Sequence, residues 1–165
     1  MGEVVDVAAH VRAVLATLAT ASEVMPCDPA LADTAAFCAH YGIAPEDSAN
    51  TIVVVGKTDP PRYAACVVLA TTRLDVNSVV RKRLGVKKAS FADAEATAAL
   101  TGMTMGGVTA VGLPPGLPLW VDAAVMARTR IVLGGGTRDC KIVAAPALLG
   151  ELPGVEIVDG LARPV

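Results

Sequence analysis

This chain of 165 residues has few aromatic residues, and its positive and negative charges nearly balance. Aromatic residues make up 3% of the sequence, so we do not expect a base-stacking platform of the kind that single-strand binding proteins use. The formal net charge is −2, which excludes a generally basic nucleic-acid binder but leaves room for a local basic patch. No apolar run approaches the roughly 20 residues of a membrane span, and no basic segment precedes an apolar core at the N-terminus. We therefore expect a cytoplasmic protein.

The spacing typical of metal ligands is also missing. None of the four cysteines forms a CxxC pair, and only two histidines could join them, so a zinc site has little support. We expect buried, reduced thiols, above all at Cys66 in the apolar run AACVVLA, and neither a metal nor a cofactor. A Ser-His-Asp hydrolase is not expected either, because His10 and His40 both fall in predicted helices.

The order of predicted elements indicates one domain over residues 1–165. Helical spacing predicts a helix over 4–18, and Asp33 and Gly42 would begin and end a second one after a loop around Pro26. Buried strands over 51–55 and 63–71 would pair as a hairpin. Further helices are predicted over 76–84, 91–100 and 147–152 and after Asp122, and further strands over 119–121, 131–133, 141–144 and 155–158. This mixture predicts an α+β fold with a mixed, curved, barrel-like sheet flanked by helices.

Two glycine-dense turns are the most informative feature of the sequence. The first reads GMTMGGVTAVGLP over 102–114, and the second reads VLGGGTRDCK over 132–141. Clustered glycines lose much backbone entropy on folding, so they are typical of sharp turns or of backbone that must approach something closely. We expect one site whose walls are main chain rather than side chain.

Ordered landmarks extend over nearly the whole chain, from about Val24 to near Pro164. In order they are ADTAAFCAHYGI, SANTIVVV, AACVVLATTRLDVNSVVRKRLGVKKASFA, LTGMTMGGVTAVGLP, LPLWVD and the GGGTR turn. Together they resemble the YbaK/ProX-like family of free-standing aminoacyl-tRNA editing proteins, a module also inserted in many bacterial prolyl-tRNA synthetases. The resemblance implies a mixed-sheet domain with a central pocket. It also implies hydrolysis of the ester between a wrong amino acid and the terminal adenosine of a tRNA, classically the tRNA for proline, with a prolyl-tRNA synthetase as a further candidate partner.

The sequence departs from the family pattern at two positions. Many members carry a lysine, tied to activity, at the start of the strand after the second helix, and here that position is Asn50. The first glycine loop usually reads Gly-Gly-x-x-Pro, and here Ala110 replaces the proline. Two alternatives to a deacylase therefore stay open: a catalytically weak or inactive aminoacyl-tRNA binding module, and a hydrolase of another small acyl ester.

Hydrolysis of an aminoacyl ester by water needs positioning and donors aimed at the developing oxyanion. The backbone amides of Gly106, Gly107 and Val108 could supply these donors, although the glycines could also serve only the turn. Asn50 could hold a carbonyl, a ribose hydroxyl or water, or could simply close a turn. Thr109 is a further candidate for holding water.

Two more positions have a functional and a structural interpretation. Asp122, at a strand-to-helix junction, could recognise the substrate α-amino group or cap the helix. Gly134, Gly135 and Gly136 could form a rim that meets the terminal adenosine, or only a hairpin turn.

A basic cluster interrupts the otherwise acidic chain. The segment RKRLGVKK contains five of the 14 lysines and arginines and no acid. Contact with the tRNA phosphate backbone would explain it, and a solvated helix face is the alternative. The residues of this cluster are Arg81, Lys82, Arg83, Lys87 and Lys88.

Overall fold

The computed structural model describes residues 6–165, within which six α-helices and ten strands alternate irregularly. The helices are α1 (Val7–Ala16), α2 (Thr34–Tyr41), α3 (Arg81–Leu84), α4 (Ala94–Thr101), α5 (Ala123–Met126) and α6 (Ala147–Gly150). The strands are β1 (Ser22–Pro26), β2 (Ala49–Gly56), β3 (Arg62–Leu69), β4 (Thr72–Leu74), β5 (Ala89–Phe91), β6 (Leu119–Asp122), β7 (Ile131–Gly134), β8 (Cys140–Ala144), β9 (Val155–Val158) and β10 (Ala162–Pro164).

The central sheet has five strands in the order β5-β2-β3-β6-β9. Its β5-β2-β3 part is antiparallel and its β3-β6-β9 part is parallel, so the predicted α+β fold with a mixed sheet is confirmed. The predicted hairpin is confirmed as well, with Ala49 of β2 opposite Leu69 of β3. The sheets do not close into a barrel, because the other strands form a separate three-stranded sheet, β1-β8-β7, and a two-stranded ribbon, β10-β4.

Strands β2 and β3 lie in the centre of the protein and are buried on both faces. Val53 and Val67 face one apolar cluster, which also contains Val11 and Leu15 of α1. Val54 and Cys66 face a second apolar cluster on the opposite side of the sheet. Side chains alternate between the faces of a strand, so burial on both faces requires the continuous apolar run that the sequence shows.

Aspartates begin the predicted helices and glycines end them. Asp33 and Asp93 occupy the N-cap positions of α2 and α4, and Asp75 occupies that of a π-helical turn, Val76–Val80, which leads into α3. The Asp75 and Asp93 carboxylates accept hydrogen bonds from backbone N–H groups of the first turn. The helix predicted over 91–100 begins later than expected, because Phe91 belongs to strand β5. The second, third and fourth predicted helices end at Gly42, Gly85 and Gly102, whose φ values of 67°, 69° and 74° are left-handed. The first helix was predicted over 4–18; its first residues lie outside the described part of the chain, and α1 ends at Ala16.

The prediction of a loop around Pro26 was wrong, because this segment is strand β1. It pairs antiparallel with β8, which sets Met25 opposite Lys141 and Pro26 opposite Cys140. Its burial does not alternate cleanly, since it is an edge strand with exposed ends, so the sequence carries little strand signal there.

The four cysteines are all buried and unpaired. Burial raises the pKa of the Cys66 thiol to about 12, which keeps this thiol protonated and inert at neutral pH.

Among residues 6–165, none of the helices combines the length and the apolar character that crossing a bilayer requires.

Candidate functional site

A pocket of about 220 Å³ opens where the N-terminus of α2, the start of β2, the first glycine turn and strand β7 come together. Asn50, Gly106, Val108 and Gly134 all line it, although they come from three separate parts of the sequence. One side chain from β8, that of Lys141, completes the lining. The fold therefore brings Asn50 and residues from both glycine turns to one pocket.

The two glycine turns pack against each other through their backbones. The amide of Gly136 donates a hydrogen bond of 2.6 Å to the carbonyl oxygen of Gly107. A Cβ atom on Gly107 would clash with the backbone of Thr137, and one on Gly134 would clash with the carbonyl oxygens of Gly107 and Val108. Glycine is required at these two positions because main chain lies against main chain there.

Two of the three predicted oxyanion donors remain available. The amide of Gly107 donates to the carbonyl oxygen of Thr104 at 2.8 Å, so it is occupied within the turn. The amides of Gly106 and Val108 have no acceptor within residues 6–165, and both residues line the pocket. Gly106 has a φ of 89°, a left-handed conformation that side-chain-bearing residues rarely adopt.

Asn50 lies on β2, half-buried, and lines the same pocket. Its Oδ1 atom accepts a hydrogen bond of 3.0 Å from the hydroxyl of Thr34, the first residue of α2. This bond ties the helix to the strand, and the side-chain NH₂ of Asn50 has no acceptor within the described part of the chain. The amide nitrogen is therefore available to a group bound in the pocket.

Lys141 is the pocket residue that the sequence analysis missed. It was interpreted only as the start of a strand, although its side chain is buried, with 8% of the residue exposed. Its Nζ atom donates to the carbonyl oxygens of Ala32 at 2.8 Å and Gly106 at 3.0 Å, and it lies 5.1 Å from the centre of the Phe37 ring. Removal from water lowers the pKa of the Lys141 ammonium group. The sequence did contain a feature that could have identified Lys141, namely a lysine inside the otherwise apolar strand CKIVA. Lysines are almost never buried unless their charge is paired, so a lysine in a buried strand is a candidate functional residue.

An arginine fixes the outer wall of the pocket. Arg138 donates to the carbonyl oxygens of Pro29 and Met105, and its Nη1 atom forms an ion pair of 3.2 Å with Asp33. The guanidinium lies directly across Gly106, where any Cβ atom would clash with it. The side chain of Asp33 is 77% exposed, which places a carboxylate at the mouth of the pocket.

Gly135 and Gly136, predicted with Gly134 to form a rim, lie away from the pocket. Gly135 packs against Cys140, and Gly136 packs against Val7 and Val11 of α1. Among the three, only Gly134 is a lining residue. The geometry therefore favours the turn interpretation for Gly135 and Gly136, because their missing side chains make room for protein atoms.

Thr109 and Asp122 also lie outside the pocket. Thr109 is fully buried, and its hydroxyl accepts a hydrogen bond of 3.4 Å from the amide of Val111. Asp122 is buried at the end of β6, where desolvation raises its pKa while hydrogen bonds from the backbone of Ala162 and Leu161 oppose that rise. Ala110, at the position of the family proline, is buried in the larger apolar cluster.

The side chains of the basic cluster fall into two groups, those that bind other groups of the protein and those that form no ion pair within residues 6–165. Arg81 donates to the carbonyl oxygen of Asn77 at 3.0 Å, and Arg83 pairs with Glu156 while it stacks on the Trp120 ring at 4.8 Å. The other members are exposed and form no ion pair within residues 6–165. These members are Lys82, Lys87 and Lys88.

The exposed lysines lie near the end of β2 that is farther from the pocket, where Leu84 of α3 and Val86 pack against Gly56. Lys88 precedes β5, and Ala89 of β5 pairs with Gly56 at the far end of β2 from Asn50. At about 3.3 Å per residue, Gly56 and Asn50 are separated by about 20 Å. Lys57 also lies beside Lys88, to whose carbonyl oxygen it donates its backbone amide.

Comparison with known proteins gives a consistent result. Residues 28–152 match the family model described as the aminoacyl-tRNA editing domain. The crystal structure of hypothetical protein APE2540 is 25% identical, with a TM-score of 0.81 over 93% of this chain and 99% of that one. The crystal structure of a proposed trans-editing enzyme for prolyl-tRNA synthetase is 22% identical, with a TM-score of 0.80 over 99% of this chain and 100% of that one. The match covers well over half of the chain, so the chain belongs to the aminoacyl-tRNA editing domain family.

Proposed function

We propose that the protein is a trans-acting aminoacyl-tRNA deacylase that hydrolyses the ester of a mischarged tRNA, foremost the tRNA for proline. The observation that carries the proposal is one pocket lined by Asn50 and by Gly106 and Val108, whose backbone amides have no acceptor within residues 6–165. Membership of the editing family supports the reaction, and the likeness to a proposed prolyl-tRNA trans-editing enzyme supports the choice of tRNA.

The pocket geometry suits ester hydrolysis by water. The aminoacyl carbonyl oxygen would accept hydrogen bonds from the amides of Gly106 and Val108, which stabilise the negative charge that develops as water adds to the carbonyl carbon. The amide of Asn50 would orient the water or the ribose. The terminal ribose oxygen then leaves and takes a proton, which releases the free amino acid and the tRNA.

The size of the pocket restricts which part of the substrate enters. Sites for drug-sized ligands usually enclose about 300 Å³ or more. A pocket of about 220 Å³ accommodates the aminoacyl group, and the adenosine would remain at the mouth beside Asp33 and Met105. The ion pair between Asp33 and Arg138 leaves the exposed carboxylate in reach of a substrate α-amino group.

We expect the protein to release the amino acid from at least one of Ala-, Cys- and Ser-tRNA for proline faster than buffer does. The measurement is the loss of radiolabelled amino acid from each tRNA at micromolar protein. Prolyl-tRNA, the correctly charged species, is the control and should be hydrolysed at the buffer rate. Rates equal to buffer for the entire panel would contradict the proposal and favour the binding module, the alternative that Asn50 suggests.

The three free lysines should contribute to tRNA affinity by binding phosphates. We expect the triple substitution Lys82→Ala, Lys87→Ala and Lys88→Ala to weaken tRNA binding whichever amino acid is attached. Each lost phosphate contact should reduce the slope of log affinity against log salt concentration by about 0.7 to 0.9. Arg81 and Arg83 are retained, because their guanidinium groups bind within the protein.

The control for the triple variant is Arg12→Ala, which removes an exposed cation from α1. Hydrolysis of an aminoacyl-adenosine should be the same in the triple variant and the wild type, since the pocket lies about 20 Å away along β2. An unchanged salt slope would refute the assignment of these lysines to phosphate binding. A parallel loss of aminoacyl-adenosine hydrolysis would indicate a folding defect instead.

A further inference from the structure

The Lys141 ammonium is a charge buried in the pocket. Within residues 6–165 no acidic side chain forms an ion pair with it, and the nearby Asp33 pairs with Arg138. A buried charge is costly unless it is paired or hydrogen-bonded. The two carbonyl oxygens and the face of the Phe37 ring offset part of this cost, but they bring no negative charge.

One hydrogen-bond donor of this ammonium group has no acceptor within residues 6–165. An ammonium carries three N–H donors, and the Lys141 group directs two of them to Ala32 and Gly106. No acceptor within the described residues takes the third, and the side chain lines the pocket. Because Gly106 accepts one of these bonds, the ammonium lies beside the glycine turn that carries the two free backbone amides.

We infer that Lys141 is a catalytic residue whose ammonium group binds the oxyanion formed when water adds to the aminoacyl ester, an inference that rests on the proposed function. In this step the water oxygen bonds to the carbonyl carbon, the water proton passes to solvent, and the carbonyl π electrons move onto oxygen. When the oxyanion collapses, the C=O bond forms again and the bond to the ribose oxygen breaks. The ribose oxygen takes a proton from solvent.

A phosphate of the terminal nucleotide would also present an anionic oxygen to Lys141. The experiment must therefore distinguish binding of the oxyanion from binding of this phosphate. The structure favours the oxyanion, because Lys141 is buried in a pocket too small for the aminoacyl group and the adenosine together. A substrate that has the ester but no phosphate distinguishes them. Aminoacyl-adenosine is such a substrate.

We expect Lys141→Met to lower kcat by about 10²-fold on both mischarged tRNA and aminoacyl-adenosine, with KM nearly unchanged. Thermal unfolding shows whether the variant folds, and Arg12→Met, which removes an exposed cation from α1, is the matched control. Lys141→Ala should regain part of its activity in ethylammonium chloride, which a purely structural lysine would not allow. A loss restricted to the tRNA substrate would assign Lys141 to phosphate binding and overturn the inference, as would an unchanged kcat.

The pH profile supplies a second kinetic readout. Burial lowers the pKa of Lys141 below its ordinary value of 10.5, and the protonated form is the one that binds an oxyanion. After correction for hydrolysis by buffer, the catalysed rate should stay constant at pH values below the lowered pKa of Lys141 and should fall as the pH rises through this pKa. The folded Lys141→Met variant should lack this alkaline fall, and an identical fall in that variant would contradict the inference.

A binding experiment separates this inference from the proposed function. We would measure the affinity of a phosphonate analogue of aminoacyl-adenosine, whose anionic tetrahedral centre mimics the oxyanion, and of a neutral amide-linked analogue. Wild type should bind the phosphonate about 10²-fold more tightly than Lys141→Met does, and both proteins should bind the amide equally. If wild type is inactive on the tRNA panel but keeps this difference, the deacylase proposal fails and the anion site stands. Equal phosphonate affinity in the two proteins overturns the anion site itself.

Discussion

Gly134→Ala is expected to destabilise the protein by about 3 kcal/mol and to abolish hydrolysis, because it inserts an atom between two backbones. The new Cβ would lie 2.9 Å from the carbonyl oxygen of Gly107 and closer still to that of Val108. Neither oxygen can rotate away as a flexible side chain would. Relief therefore requires a shift of the first glycine turn, which carries the amides of Gly106 and Val108.

Denaturant unfolding and kcat/KM are the two measurements for this variant. The midpoint of unfolding should fall at an unchanged m-value, since the native fold is retained at lower stability. Gly150→Ala is the matched control, because a Cβ atom there meets nothing within 4 Å and its φ lies outside the left-handed range. We expect the control to keep or raise stability, by at most about 1 kcal/mol, because alanine loses less backbone entropy than glycine in helix α6. A wild-type midpoint for Gly134→Ala would show that the two turns do not pack as described.

Local signals in the sequence predicted most of the secondary structure. Aspartate caps and left-handed glycines act within one turn of the chain, so Asp33 and Gly42 marked the ends of α2 correctly. The continuous apolar runs of β2 and β3 predicted their burial and their pairing. Four short strands, β1, β4, β5 and β10, were not predicted, because each is an edge strand whose pairing depends on a partner distant in the sequence.

Of the residues that line the candidate pocket, the sequence singled out Asn50 and members of the two glycine turns. The glycine turns were recognisable because glycine is needed wherever main chain packs on main chain, so glycines cluster there. Asn50 was identified through the family pattern. Lys141 was missed because its burial depends on the pairing of β8 with β1 and on Phe37 of α2. For Asp122 the sequence left substrate recognition and helix capping open. The contact of its carboxylate with Leu161 and Ala162 was not predicted, because it joins segments about 40 residues apart.

The presence of Lys141 affects which residue the pocket can accept at position 50, where many family members have a lysine and this chain has an asparagine. With Lys141 beside Gly106, the pocket already contains one ammonium group, supplied by a different strand. A second lysine at position 50 would put another positive charge into the same small pocket, and like charges in one site disfavour each other's ionisation. The neutral amide of Asn50 is compatible with Lys141 in a way that a second ammonium is not.

Asn50→Ala should lower kcat/KM by about 10²-fold, since it removes the only side-chain amide that the described residues place in the pocket. It should lower the free energy of unfolding by only about 1 kcal/mol, the usual contribution of one hydrogen bond, here that from Thr34. The measurements are single-turnover hydrolysis of mischarged tRNA and denaturant unfolding. Asn50→Lys should also fall below wild type, because it would crowd two ammonium groups together.

Thr34→Val is the control that separates the two roles of Asn50. It removes the same hydrogen bond to Oδ1 but leaves the NH₂ group of Asn50 in the pocket. We therefore expect a loss of stability similar to that of Asn50→Ala, with a much smaller loss of activity. If Thr34→Val and Asn50→Ala lose activity equally, Asn50 acts by holding α2 against β2 and does not contact the substrate. Wild-type activity in both Asn50→Ala and Asn50→Lys would show that the position is structural, because neither a missing amide nor an added charge would then reach the reacting ester.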